Sequence, residues 1–299
     1  MFRHLLAPLD GSELAEAALP AAVHLARSLG ARLTLLHVLE RDAPGEVHGQ
    51  RHITNEKEGL RYLQETAEKL PPGLAVDLHV HPNPEHNVPR SIVEHAAELG
   101  VDLVLISTHG RSNLRRWLFG SIAQQVIALG DTPVLVIYPS EIPQGQGFGC
   151  RRILAPLDGN PEHEGGLRIA VGLAEACGAA LHLLMVVPTR DTLSGEGSAS
   201  ALLLPATTAA LLEMSRQTAA EYLREQAAGA RAAGITVTIE VQRGEPAGAI
   251  AEAAKVSHAD LIVMATHGKT HTDAFWSGSV SPRVSSKTRR PLLLAPVGG

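Results

Sequence analysis

The chain has 299 residues, which suits two domains of ordinary size, and its net charge of −5 with only 3% aromatic residues excludes a general nucleic-acid binder with a basic face or an aromatic stacking platform. Its two cysteines, Cys150 and Cys177, exclude a disulfide framework or a Cys-rich zinc module and fit a reducing, cytoplasmic setting. No apolar run reaches the roughly 18 residues of a membrane helix, and Met1 to Asp10 meets an aspartate before a signal-peptide core can form, so no membrane role is expected.

In chain order, His4–Pro8 reads as a short apolar strand. Ser12 caps a helix that runs to Leu29 and is closed by Gly30, with Pro20 as a weak point inside it. Leu33–Leu39 is a buried strand, Ile53–Leu70 a polar helix, Val76–Val80 an alternating strand and Ser91–Leu99 a helix. Asp102–Ser107 is a continuous apolar strand, Ile122–Leu129 a helix, and Val134–Tyr138 the last strand of the first half. Pro139–Gly149 reads as a linker; its Gly145-Gln146-Gly147-Phe148-Gly149 precedes a strand instead of following one, which rejects a dinucleotide fingerprint.

The pattern then repeats. Arg3-His4-Leu5-Leu6-Ala7-Pro8-Leu9-Asp10-Gly11 returns as Arg151-Arg152-Ile153-Leu154-Ala155-Pro156-Leu157-Asp158-Gly159, 148 positions on. Thr108-His109-Gly110 returns as Thr266-His267-Gly268, Gly120-Ser121 as Gly278-Ser279, and Thr132–Val136 is echoed by Arg290–Leu294. A period near 150 residues means a duplicated domain, not a solenoid. In the second copy Asn160-Pro161 supplies a cap and a first-turn proline, and the Gly/Ser-rich Thr189–Leu204 reads as an inserted mobile loop. Apolar strands alternating with helices imply an α/β chain of two tandem doubly wound, Rossmann-like domains. Each is expected to hold a mostly parallel five-stranded sheet with helices on both faces. The expected boundaries are 1–140, a linker at 141–150, and 151–299.

The chemistry concentrates after the fourth strand of each copy. Ser107-Thr108-His109-Gly110 is followed by nine residues and then by Gly120-Ser121 opening a helix; Ala265-Thr266-His267-Gly268 leads in the same way to Gly278-Ser279. Ligands of open parallel sheets bind beyond the carboxyl ends of the strands, and a helix N-terminus offers unpaired N–H groups to a phosphate. Ser121 and Ser279 add hydroxyls, and Arg111, Arg115 and Arg116 add local positive charge. Recurrence of the spacing in the same strand–loop–helix context favours an anion site over mere turns. His109 and His267 either donate to a phosphate or fix the loop. Gly268-Lys269-Thr270 is not a Walker A motif, because Val263 stands where its first glycine is required.

The Pro-x-Asp end of the first strand, the Leu36-His37-Val38 strand and the spaced glycines ending in Gly-Ser resemble the universal stress protein family, as two tandem copies over nearly the whole chain. The resemblance implies a nucleotide-binding regulatory protein with ATP as ligand. The strand-end aspartate and a backbone valine would hold adenosine, and the glycine loop the phosphates. The implied positions are Asp10, Val38, Gly110, Gly120 and Ser121 with their neighbours Pro8, Leu9, Ser107, His109 and Ile122 in the first copy. In the second they are Asp158, Val186, Gly268, Gly278 and Ser279 with Pro156, Leu157, Ala265, His267 and Val280. Ser107 and Ala265 replace the loop's first glycine. The second copy keeps the family-like Gly244-Glu245-Pro246, where the first has the longer His81–Asn87.

Asp10 and Asp158 are alternatively ligands for the Mg2+ that accompanies phosphates. No paired carboxylates for acid–base chemistry and no nucleophile elbow are evident. The alternatives to a regulator are a slow ATPase or nucleotide hydrolase on the same scaffold, separated by turnover, and a scaffold binding no nucleotide in one or both copies. His79, His81 and His86 read as solvated positions at a strand end. The expected partners are an adenine nucleotide and a protein the sequence does not name. The terminal strands, Val134–Tyr138 and Leu292–Ala295, are expected to pair antiparallel as an internal pseudo-dimer, with further association into a homodimer left open.

Overall fold

The computed structural model describes residues 1–41, 46–47, 50–51, 53–108, 121–139, 148–193, 203–266 and 280–297. These form two compact units, one drawn from 1–149 and 291–297, the other from 150–266 and 280–290.

The first unit opens with β1 (His4–Pro8), whose Leu5, Leu6 and Ala7 are fully buried. At about 1.5–3 kcal/mol per buried aliphatic side chain, such segments carry much of the fold's stability. The helix expected from Ser12 to Leu29 is instead two: α1 (Glu13–Glu16) and α2 (Leu19–Leu29). Pro20, lacking an N–H, sits in the first turn of α2, where no intrahelical donor is needed, so the break falls just before it. Ser12 caps α1 and Gly30 closes α2, as the sequence implies.

There follow β2 (Arg32–Glu40), a small antiparallel ribbon of β3 (Glu46–Val47) and β4 (Gln50–Arg51), α3 (Glu56–Glu68), β5 (Val76–Glu85), α4 (Val88–Glu98), β6 (Leu103–Ser107), α5 (Ser121–Leu129) and β7 (Val134–Ile137). β5 runs five residues past its expected end, through Pro82 and Pro84. It is the edge strand, and an edge tolerates residues that cannot donate to a ladder.

The second unit contains β8 (Arg152–Leu157), a 3-10 turn at Pro161–His163, α6 (Glu164–Cys177), β9 (Ala180–Val187), α7 (Pro205–Ala232), β10 (Val237–Arg243), α8 (Pro246–Val256), β11 (Leu261–Thr266) and α9 (Val280–Lys287). The last strand, β12 (Leu292–Pro296), belongs to the first unit. Part of the expected mobile insert is an ordered turn: Thr189 and Thr192 form a capping box around Arg190–Thr192. Residues 194–202 lie outside the described residues.

Within the first unit the strand order is β5-β2-β1-β6-β7-β12, parallel throughout except for β12, which pairs antiparallel with β7 at Leu292–Val136, Leu293–Leu135 and Leu294–Val134. The second unit orders its strands β10-β9-β8-β11, all parallel. The expected antiparallel pairing of the terminal strands is thus present. The expected count of five strands per sheet is corrected to six and four, because β12 completes the ladder of β7 inside the first unit.

Two backbone devices fix the first turns. Gly11 (φ 91°) and Gly159 (φ 79°) hold a left-handed conformation immediately after the strand-end aspartates, which few side chains adopt. On α6, a Cβ added at Gly166 would lie 3.0 Å from the Ala265 N, so only glycine lets this helix approach the carboxyl end of β11 so closely. Gly166→Val is therefore expected to destabilise the second unit by about 1–3 kcal/mol, read as a lower urea midpoint. An unchanged midpoint would mean that α6 can shift off β11 without loss.

Candidate functional site: two strand-end crevices

In the first unit the chain passes from β1 outward to β2 and β5, then returns to place β6 on the other side of β1. In the second unit β8 lies likewise between β9 and β11. Such a reversal opens a crevice at the carboxyl ends of the two strands.

The hydrogen-bond register shows what holds it open. β1 pairs with β2 along His4–Pro8, but with β6 only at Leu5–Leu103 and Leu6–Val104. Asp102 N donates to His4 O, so His4, Leu6 and Pro8 direct their backbone toward β6. Pro8 is the next residue that would donate to β6, and it has no N–H. The second unit repeats the device: Asp260 N donates to Arg152 O, β8 pairs with β11 only at Ile153–Leu261 and Leu154–Ile262, and Pro156 occupies the next donor position.

The strand-end residues surround these openings. In the first copy Asp10 Oδ1 accepts from the Ser12 N (2.9 Å) and Oγ (2.6 Å), while Ser12 Oγ also accepts from Ala15 N to start α1. Leu9 N donates to Leu36 O, and His37 Nδ1 donates to Leu9 O at 2.7 Å. By the two-residue alternation of a strand, Val38 turns its N–H and C=O the same way as Leu36, past the end of β1. Ser107 ends β6, and its buried Oγ has no hydrogen-bond partner among the described residues. Ile122, in the first turn of α5, exposes 38% of its surface.

In the second copy Asp158 Oδ1 accepts from Asn160 N (3.0 Å) and Oδ2 lies 2.5 Å from His163 Nδ1. Gly244 N donates to Val187 O, so Val187 faces β10 and the preceding Val186 faces past the end of β8. Ala265 sits one residue from the end of β11, and the following Thr266 has a buried Oγ1 without a partner among the described residues. Leu157 ends β8 and Val280 begins α9. Ser121 begins α5. His109, Gly110, Gly120, His267, Gly268, Gly278 and Ser279 lie outside the described residues, as do Arg111, Arg115 and Arg116.

One repeated pair escaped sequence reasoning. The Tyr62 hydroxyl, from α3, donates to Glu16 Oε1 at 3.0 Å. Tyr222, from α7, is hydrogen-bonded to Glu164. Burial first, and the neighbouring Glu16 second, push the Tyr62 phenol well above its ordinary value; burial and then Glu164 raise Tyr222. Both tyrosines also feel the strand-end aspartate of their own copy, Asp10 or Asp158. The available signal was that Glu16 and Glu164 follow those aspartates at the same distance.

Glu245 caps α8, accepting from Ala247 N (2.9 Å) and Gly248 N (2.8 Å), with Arg283 at 3.3 Å. Burial pushes its carboxyl up, but those two N–H donors and the charges of Arg283 and Lys287 outweigh it and hold the carboxyl below its ordinary value.

The histidines expected to be solvated at the end of the third strand are instead packed. His79 and His81 each meet the ring of buried His95 edge-on at 4.8 Å, and His81 also bonds to His95 Nε2 (3.2 Å) and Glu85 (3.3 Å). The reason is that α4 lays His95 against that face of β5. His86 alone is exposed. Among the described residues, no group of three or more His, Cys, Asp or Glu is arranged to hold a metal ion. No helix among them is long and apolar enough to cross a membrane.

The architecture is thus a doubly wound α/β chain with the same strand-end crevice built twice. The model of the universal stress protein family matches residues 1–138 and again 149–296, and the chain belongs to that family as a tandem two-domain member. The universal stress protein YxiE of Bacillus subtilis is 34% identical over 152 residues, 46% of this chain and 99% of the relative. A universal stress protein of Mycolicibacterium smegmatis is 24% identical over 302 residues, 97% of this chain and 96% of its own length. In fold, the chain is similar to a universal stress protein of Archaeoglobus fulgidus, with a TM-score of 0.65 at 18% identity, over 99% of this chain and 96% of that one.

The capping carboxylate yields a pH prediction. Because the folded-state carboxyl of Glu245 titrates below its unfolded value, its stabilisation is complete above about pH 4.3 and is lost as pH falls through the folded value. Glu245→Gln is expected to flatten the acid limb of the melting temperature between about pH 5 and 3. An unaltered acid limb would assign that limb to other carboxylates.

Proposed function

We propose that each half of the chain binds one adenine nucleotide, ATP, in its strand-end crevice, and that the protein is a nucleotide-dependent stress-response regulator of the cytoplasm. The two copies, taken as domains, are then residues 1–140 and 151–299, joined by 141–150, with β12 of the second copy completing the sheet of the first unit. The observation that carries this reading is the repetition, in both halves, of an aspartate beside a valine whose backbone N–H and C=O face past the end of the first strand. A backbone donor and acceptor side by side match the ring-nitrogen acceptor and exocyclic amino donor of adenine. Asp10 and Asp158 are placed to accept from ribose hydroxyls, as acidic residues do in other doubly wound nucleotide sites.

Ser107 ends β6 and Ala265 stands one residue before the end of β11, on the strands at the opposite side of each crevice. The phosphates would meet the N-termini of α5 and α9 and, by their order in the sequence, Ser121, Ser279 and the glycines 110, 120, 268 and 278. Mg2+ travels with them, as ATP phosphates ordinarily carry it. Binding alters a surface read by a protein partner.

Asp10→Ala is expected to weaken ATP binding roughly 10- to 100-fold in titration calorimetry, the loss of one charge-assisted hydrogen bond, and to change inorganic phosphate binding by less than about twofold. Asp10→Asn, which can still accept from Ser12, separates ribose contact from folding and is expected to show most of the same loss. Equal loss of ATP and phosphate in both variants would contradict the placement of Asp10 at the ribose.

A further inference from the structure

The chain's two cysteines, at positions 150 and 177, come together in the second unit. Cys150 immediately precedes the short lead into β8, and Cys177 is the last residue of α6. Ala180 N donates to Arg151 O at 2.8 Å and Arg152 pairs with Ala180, so the start of β8 lies against the start of β9. The tight turn through Gly178 and Ala179 then returns the end of α6 to the same place, with Ala179 N bonded to Ala174 O. Cys150 is buried, with 1% of its surface exposed, its thiol hydrogen-bonded to Cys177, which is half-buried.

We propose that Cys150 and Cys177 form a dithiol oxidation site, closed to an intramolecular disulfide by a two-electron oxidant of the peroxide class. The order of events follows from exposure. Peroxide reaches Cys177 first; its sulfur attacks one peroxide oxygen, the O–O bond breaks, and a sulfenic acid forms with release of water. The sulfur of Cys150, already in contact, attacks the Cys177 sulfur; the S–O bond breaks, and the hydroxide leaves as water with the proton of Cys150. Two thiols lose two electrons and two protons, and one peroxide becomes two waters.

Cys150 is suited to this second role. Its bond to Cys177, its burial and the Asp260 carboxylate, which accepts from the N–H groups of Arg151 and Arg152, all push its thiol above the ordinary value. It is therefore a thiol at neutral pH, unreactive toward bulk oxidant, and it becomes a nucleophile as its proton passes to the hydroxide leaving Cys177. The resulting bond would tie the start of β8 to the end of α6 and enclose Asp158, His163 and Glu164 in the closed loop.

The test uses the full reduced chain exposed to hydrogen peroxide, followed by denaturation, alkylation and intact mass. The expected result is loss of two mass units with both thiols blocked together, a cross-linked Cys150–Cys177 peptide in a non-reducing digest, and a melting temperature raised by about 5 °C that returns with dithiothreitol. In Cys177→Ser, Cys150 is expected to remain alkylatable under the same exposure, its oxidation slowed at least tenfold. In Cys150→Ser, Cys177 is expected to gain oxygen atoms instead of losing hydrogen. Oxygen addition in the native chain with Cys150 still alkylatable, or disulfides only between chains, would overturn the proposal.

Discussion

The ladder between β1 and β6 stops two pairs after it begins, and so does the ladder between β8 and β11. Everything at the candidate site depends on that early stop. Pro8 and Pro156 stand where the next N–H should donate across, so the two central strands part at their carboxyl ends while each keeps its full pairing on the other side. On that other side the first strand simply ends, and the backbone of Val38 or Val186 faces past it. The reversal of the winding opens a crevice at this point, and the proline keeps the ladder from closing toward it.

The two crevices differ in how their aspartates are held. Asp10 is bound by the backbone and hydroxyl of Ser12, a neutral donor that also starts α1. Asp158 shares its second oxygen with His163, whose charge depends on protonation, and α6 begins one residue later after a 3-10 turn. The Tyr62–Glu16 and Tyr222–Glu164 pairs, in contrast, are the same in both halves. Each ties the helix after the first strand to the helix before the third, and so steadies the turn carrying the aspartate. The duplication thus preserved the scaffold of the site while altering the groups that compete for its carboxylate.

Much of this was legible in the sequence because it is local. The strand-end aspartates and the capping Ser12 and Asn160 depend on neighbours a few residues apart, and the duplication shows when the two halves are laid side by side. What was not legible depends on contacts between distant segments. Tyr62 and Glu16 are separated by 46 residues, the packing of His79 and His81 comes from a helix laid against one face of β5, and the need for glycine at 166 comes from the backbone of β11. The sixth strand of the first sheet is a case of the same kind: the sequence marks Leu292–Ala295 as a strand, but its assignment to a unit is settled by which edge it completes. Pro20 misled in a subtler way, since a proline tolerated in a first turn reads as one interrupting a longer helix.

Two separate nucleotide sites, one at each strand-end crevice, are what we propose for this chain. The most direct test is to count bound ATP by native mass spectrometry of the full chain. Two nucleotides per chain are expected, one in either Asp10→Ala or Asp158→Ala at limiting ATP, and none in the double variant. A chain that takes up no ATP, or a double variant that still carries two, would contradict it.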